Sequence, residues 1–415
     1  MYAAGVIVEL NPFHNGHGVH IAETRAVTDC KYVVAVMSGN FVQRGEPAVC
    51  DKWQRTRMAL MHGVDVVIEL PVGYVIGGAD YFARGAVGIL DATGVVDGLC
   101  FGSESGNLAE IVRAGKMLAE EPLLYKNALR AGLDKGLSFA AAKGAALRAC
   151  LTGDVSDGLL SLPNNGLAME YCKAVELLGD RIKVFTTHRR GGGPSATAIR
   201  KVLRGLDNLG ADAVPDHNVQ CTRQTKMEEK YHFVSELVPA DVLQILKETP
   251  TFANLDDFSD VFRYLIYAKP DAVDGLGEGL GNRFRRLCGE YSKISEILSA
   301  VKTKRYVYTR LQRAVCSILL GIDSADMELF EQNGGVQYIR VLGFRKEAAG
   351  LVGKIVRKAR LPVITHGAAV DSLLAGNGAA GKMLAQELMA GDVYRIATKE
   401  NGGYLSERGQ GIVVV

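Results

Sequence analysis

A chain of 415 residues is long enough for two or three domains, and 48% hydrophobic with 23% charged residues is the make-up of a globular protein, not of a disordered or fibrous one. A net charge of +2 excludes a general polycation, so any nucleic acid has to be held by a local patch. No apolar run reaches the ~18 residues of a membrane span, the start lacks the basic segment of a signal peptide, and Cys30, Cys50, Cys100, Cys150, Cys172, Cys221, Cys288 and Cys316 form no C-x-x-C pair. A cytoplasmic location, free thiols, no metal site and no membrane contact are expected.

The first element is Ala3–Val8, a short β-branched run that reads as a buried parallel strand. Glu9 to Phe13 breaks it, and His14-Asn15-Gly16-His17 opens a helix to about Val27. Tyr32–Met37 is a second buried strand, followed by a long polar loop, Ser38–Pro47. Asp51 caps a helix to His62. Asp65–Leu70 is a third strand stopped by Pro71, and helix Ala79–Ala92 leads to a fourth, Gly98–Phe101. Leu108–Ala119 and Phe139–Ala149 are helical. Pro163-Asn164-Asn165-Gly166 is read as a break before a helix at Leu167–Leu178. Ile182–Thr186 is the fifth strand. A basic glycine-rich loop then runs into a helix at Ser195–Arg200, with Ser195 as its cap. The βαβ rhythm predicts an α/β fold, an open parallel sheet of Rossmann-like type, with a mainly helical C-terminal region after it. The expected segments are 1–206, an ATP-binding nucleotidylyltransferase-like domain; 207–335, a helical basic region; and 336–415, a small C-terminal region.

Loops at the carboxyl ends of parallel strands converge on one site. The His-x-Gly-His loop there points to a nucleotide phosphate. A helix start offers unpaired N–H groups and a partial positive charge, and two imidazoles add donors that can answer charge growing on an α-phosphate. Gly16, without a Cβ, lets a flat base or ribose approach the backbone. The bland alternative is a pair of surface histidines in a capping loop. Ser195, Thr197 and Arg200 supply hydroxyls and a guanidinium at a second helix start. Arg44 either clamps a carboxylate such as acetate bidentately or belongs, with Lys52, Arg55 and Arg57, to a solvated basic loop. Arg283, Arg285, Arg286, Lys302, Lys304, Arg305, Arg310 and Arg313, with Tyr291, Tyr306 and Tyr308 among them, read either as a solvated helix face or as an RNA surface on which bases stack.

The stretch Gly5–His17, with Asn11-Pro12-Phe13 ahead of His14, resembles the start of the bacterial tRNA(Met) cytidine acetate ligases, within the His-x-Gly-His nucleotidylyltransferases. Phe41–Glu46 and Lys302–Arg313 resemble them too. Leu10, Gly18 and the short 191–194 loop depart from the pattern. The resemblance implies catalysis by His14 and His17. It implies ATP contacts at Ile7, Val8, Glu9, Asn11, Pro12, Phe13, Asn15, Gly16, His20, Gly102, Asn164, Arg189, Arg190, Ser195 and Thr197. It implies ATP as co-substrate with Mg²⁺ expected beside it. Acetate and the anticodon loop of elongator tRNA(Met) would be the partners, and N4-acetylcytidine the product. A small-molecule adenylyltransferase and a non-catalytic, nucleotide-retaining RNA-binding protein are the alternatives. The sequence leaves oligomeric state open.

Overall fold

The structure, a computed structural model, describes residues 1–151, 159–160, 162–189, 196–205, 223–269, 276, 279–303, 306–376, 378–398 and 406–415. Among the described residues ten strands are formed: β1 Ala3–Val8, β2 Tyr32–Ser38, β3 Phe41–Val42, β4 Glu46–Pro47, β5 Val66–Leu70, β6 Gly98–Ser103, β7 Lys183–His188, β8 Ile339–Phe344, β9 Val363–Ile364 and β10 Val413–Val414. Eight of them make one sheet, in the order β10-β8-β5-β2-β1-β6-β7 with β9 beside β8.

From β5 to β7 every pairing is parallel. The chain builds outward from β1 through β2 to β5, then returns to the other side of β1 for β6 and β7. The order therefore reverses between β1 and β6, and a crevice opens there beyond the strand ends. The β-branched runs are continuous because both faces are covered. Val34, Val36, Val66 and Ile68 face one core, and Val33, Ala35, Met37 and Val67 face the other.

The sheet is mixed rather than wholly parallel. β8 pairs antiparallel with β5, and β9 and β10 run parallel to β8. The segment expected at 336–415 thus completes the N-terminal sheet. A buried charge network sits at this seam. Lys52 Nζ contacts Glu69, lies 2.7 Å from Glu407 and 3.5 Å from Glu387, and Arg340 reaches Glu69 at 2.9 Å and Glu407 at 3.1 Å. Burial and the neighbouring Glu69 push Glu387 well above the usual carboxylate range. Phe258, Phe262, Phe284 and Leu311 of the basic helical segment pack in the same cluster as Val34 and Val36.

Several local expectations change. Pro163 begins a helix, Pro163–Leu177, because proline at the first helical position gives up an N–H that has no partner anyway. Ser38–Pro47 is no solvated loop: β3 and β4 pair as a hairpin, with Phe41 and Val42 buried. Lys52 and Arg55 behind it are wholly buried. Arg55 donates to the carbonyls of Cys50 at 3.2 Å, Glu9 at 2.6 Å and Gly39, clipping together the loops that leave β1 and β2. Among the described residues no helix is long and apolar enough to cross a membrane. The seven described cysteines are unpaired, and Cys221 lies outside the described residues.

Candidate active site

β1 ends at Val8, Leu10 turns the chain at φ 48°, and α1 (Asn15–Thr28) begins under the two histidines. His14 is the N-cap, and its Nδ1 accepts from Gly16 N–H at 3.1 Å. His17 Nδ1 accepts from His14 N–H at 3.1 Å. This reciprocal pair is a capping box built from imidazoles, and its i, i+3 spacing is visible in the sequence. The two rings stack with centroids 3.7 Å apart. Phe13, fully buried, lies 5.6 Å below His17 and stacks on His62 at 4.8 Å, so the pair rests on an apolar floor.

With each Nδ1 accepting, a neutral ring carries its proton on Nε2. Burial, then Arg189 and Arg200, holds His14 down to about 4. Burial, then His14, His20 and Arg189, keeps His17 well below the usual imidazole range. Burial and Arg189 bring His20 to about 4, and its Nδ1 lies 2.9 Å from Thr187 Oγ1. The site therefore offers neutral N–H donors at ordinary pH. Such donors answer charge as it develops and carry no full charge of their own to be desolvated.

Two sequence expectations are corrected here. The first turn of α1 does not present free N–H groups. Asn15 N–H donates to Leu237 O at 2.9 Å, Gly16 to His14 Nδ1, and His17 to His14 O at 2.8 Å. Donors to an anion are then the imidazoles, not the backbone. Gly16 is small for another reason than the approach of a base: a Cβ there would stand 3.0 Å from the His14 ring. Glycine lets the ring fold back over its own helix.

Gly102 lies in the last residues of β6, and Glu104 follows the strand. A Cβ at Gly102 would meet only Thr187 Oγ1, at 3.9 Å, so that face is open. Glu104 accepts from the N–H groups of Asn164 at 3.2 Å and Asn165 at 2.9 Å, capping helix Pro163–Leu177. Asn165 Oδ1 returns the bond to Glu104 N–H at 3.0 Å. Asn164 donates to Glu104 at 2.6 Å and accepts from Arg189 at 3.1 Å. Asn164 thus aims Arg189, and Arg189 in turn sits near enough to depress all three histidines. Sequence reasoning missed this lock because Glu104 lies 60 positions before Asn164 and nothing local links the two.

Thr197 opens the helix Ala196–Leu203. Arg200 donates to Thr197 Oγ1 at 3.2 Å and to Asn11 O at 2.8 Å, and pairs with Glu46 at 3.3 Å. It ties this helix to the histidine loop rather than standing free for phosphate. Asn11 Oδ1 accepts from Val49 N–H at 2.7 Å, and Glu9 accepts from Gln43 N–H at 2.6 Å. Both brace the loop. Ile7 and Val8 end β1, Pro12 lies in the loop and Asn15 opens α1, with Val8 and Pro12 buried and Asn15 exposed. Arg190 and Ser195 lie outside the described residues.

Arg44 sits exposed at the hairpin tip, near enough to Arg200 to work against its charge. In the basic helical segment Arg283 donates to Ala300 O at 3.0 Å, Arg285 to Asn282 at 2.9 Å, and Arg286 pairs with Glu290 at 3.0 Å. Lys302 and Arg310 are exposed, Arg313 is half-buried, and Lys304 and Arg305 lie outside the described residues. Tyr306 is buried beneath Arg310 and cannot receive a base; Tyr308 is half-buried and Tyr291 exposed. Among the described residues no three His, Cys, Asp or Glu side chains are grouped to hold a metal ion, so the residues present do not fit a protein-built Mg²⁺ site.

The family model HIGH Nucleotidyl Transferase matches residues 1–407. The chain is 39% identical over 416 residues to the tRNA(Met) cytidine acetate ligase of Caldanaerobacter subterraneus subsp. tengcongensis, covering 96% of each chain. It is 36% identical over 411 residues to that of Thermoanaerobacter sp. (strain X514), again with 96% of each covered. Among solved structures, Thermotoga maritima TmcAL bound with alpha-thio ATP superposes with a TM-score of 0.86 at 32% identity, covering 99% of this chain and 97% of that one. Its apo form gives 0.87 at 30% identity, covering 100% and 99%.

Proposed function

This chain belongs to the tRNA(Met) cytidine acetate ligases of the HIGH nucleotidyl transferases, and from that premise we propose that it couples ATP cleavage to acetylation of the wobble cytidine in elongator tRNA(Met). The observation that carries the chemistry is the stacked, capped and neutral His14–His17 pair at the crevice of the sheet.

In the first step an acetate oxygen attacks the α-phosphorus of ATP. The bond to the β-phosphate breaks, and acetyl-adenylate and pyrophosphate form. Charge grows on the α-phosphate oxygens and on the leaving group. The Nε2–H groups of His14 and His17 stabilise that charge more than the ground state, and Arg189, aimed by Asn164, adds a fixed cation. The Thr197 hydroxyl at its helix start suits the β- and γ-phosphates. No covalent intermediate on the protein is required.

In the second step the exocyclic amine of cytidine attacks the acetyl carbonyl. A C–N bond forms, the C–O bond to AMP breaks, and the amine gives up a proton. That amine must be unpaired to reach the adenylate, which suits a single-stranded anticodon loop in the cytoplasm. Exposed Arg286, Lys302 and Arg310 support an RNA-facing role for the helical segment. Mg²⁺ would arrive with ATP, and no step is routed through it.

The test is mass analysis of nuclease-digested tRNA(Met) after incubation with protein, ATP and acetate. One acetyl group on the wobble cytidine is expected. Unmodified tRNA, with nucleotide transferred instead to a phosphorylated small molecule, would favour a plain adenylyltransferase.

A further inference from the structure

The β3–β4 hairpin and the helix Tyr308–Leu320 carry three arginines, Arg44, Arg310 and Arg313, that pair with no carboxylate among the described residues. Arg44 is exposed at the tip of the β3–β4 hairpin. The next residue, Gly45, has φ 80°, and a Cβ on it would fall 2.3 Å from the backbone nitrogen of Arg313 in the helix Tyr308–Leu320. Only glycine allows both the conformation and the approach, so hairpin tip and helix are pressed together. On that helix Arg310 and Arg313, three residues apart, are neighbours. Arg310 lies over the Tyr306 ring, 5.2 Å from its centroid, which fixes the guanidinium in place. Burial and Arg310 both work against the charge on Arg313.

The hairpin's one acidic residue, Glu46, is already taken by Arg200 at 3.3 Å and Arg204 at 2.8 Å. Among the described residues, no carboxylate stands within ion-pair distance of Arg44, Arg310 or Arg313. The cluster is also fixed relative to the catalytic loop. Gln43 N–H donates to Glu9, Arg200 to the Asn11 carbonyl, and both partners precede His14 on one loop. Three like charges on two elements that touch, with no carboxylate partner among the described residues, suit an anion that comes from outside.

We propose that Arg44, Arg310 and Arg313 form one phosphate clamp that grips the backbone of the substrate tRNA beside the adenylate. The proposal rests on the ligase reading and names how that substrate is held. A polynucleotide answers all three charges with successive phosphates, whereas acetate, a monoanion, answers one. Arg44's exposure also suits a large ligand entering from solvent better than a small acid enclosed for adenylation. The clamp would join the two halves of the reaction: the element that steadies the RNA is braced on the loop that activates the acid.

Filter binding of an unmodified tRNA(Met) transcript over a salt series tests this with wild type, Arg44→Ala, Arg310→Ala and the double variant. Alongside it runs acetate-dependent exchange of pyrophosphate into ATP, measured without tRNA. Both side chains lack ion pairs at the surface, so thermal melting should match wild type. Each single variant is expected to bind tRNA about ten-fold more weakly. Each should also lower the slope of log affinity against log salt by about 0.7 to 0.9, with the acetate KM of exchange unmoved. Wild-type binding and slope in the double variant would overturn the clamp. A raised acetate KM in Arg44→Ala with tRNA binding intact would overturn it in favour of carboxylate binding. A wild type that exchanges nothing sinks the ligase reading, while the binding series still decides the clamp.

Discussion

Two basic side chains, Arg44 and Lys52, stand eight residues apart in the chain and end in opposite states. Lys52 is buried among Glu69, Glu387 and Glu407, with Arg340 also paired to Glu69. Arg44 stands exposed on a hairpin tip pressed against the helix of Arg310 and Arg313, with no carboxylate partner among the described residues. Lys52 holds the C-terminal strands to the N-terminal sheet; Arg44 leaves its charge for a ligand. The role of a cation is set by what answers it, and the answering residues of Lys52 lie up to 355 positions away.

The comparison breaks most decisively at Lys52. Lys52→Ala leaves Glu69 and Glu407 buried without their cation and should cost about 3–5 kcal/mol in denaturant unfolding. If it costs no more than an exposed ion pair, the seam is not held by charge. Alanine at His14 or His17 removes one side of the capping box and should cost about 0.5–2 kcal/mol in unfolding, while slowing acetate-dependent exchange by about 10²–10³-fold.

Gly16→Ala sharpens the contrast between folding and chemistry. Alanine suits a first helical turn better than glycine, so thermal stability should hold or rise by up to about 1 kcal/mol. The new Cβ, 3.0 Å from the His14 ring, should displace that ring and cut exchange about ten-fold, since a small misplacement is costly. Full activity in this variant would mean that the ring's fold-back is incidental. Asn164→Ala should have the smallest effect, a rise of a few-fold in the KM for ATP as Arg189 loses its aim, with the melting temperature little changed.

Stability should also depend on pH through the same histidines. The folded chain keeps His14 and His20 neutral down to about 4, whereas in the unfolded chain they bind protons near 6.5. Their contribution is therefore intact above about 6.5 and drains away as pH falls toward 4. Melting in a pH series should show that loss, and His20→Gln should lessen it.

The parts of this fold that were legible in the sequence are local ones. β1, β2 and β5 declare themselves as β-branched runs between breakers, and Asp51 accepts from Gln54 N–H at 2.7 Å as its cap position predicts. The His-x-Gly-His loop was legible because its position after the first strand fixes its place in the crevice. The fate of Lys52 and Arg55 was not, because nothing near them in the chain shows which distant groups bury them. Pro163 could begin a helix or end one, and Glu104, which caps the helix it opens, stands 59 positions earlier. The antiparallel β8 was hidden for a similar reason: its partner β5 is separated from it by most of the chain.

The central claim is that two neutral imidazoles, not an imidazolium, stabilise the charge that develops on the α-phosphate. The pH dependence of acetate-dependent pyrophosphate exchange tests it most directly. A rate that stays level as pH is raised from 5.5 through 6.5 to 8 is the predicted result. A rate that falls as pH rises through about 6.5 would show that a protonated histidine is required, and would contradict the account.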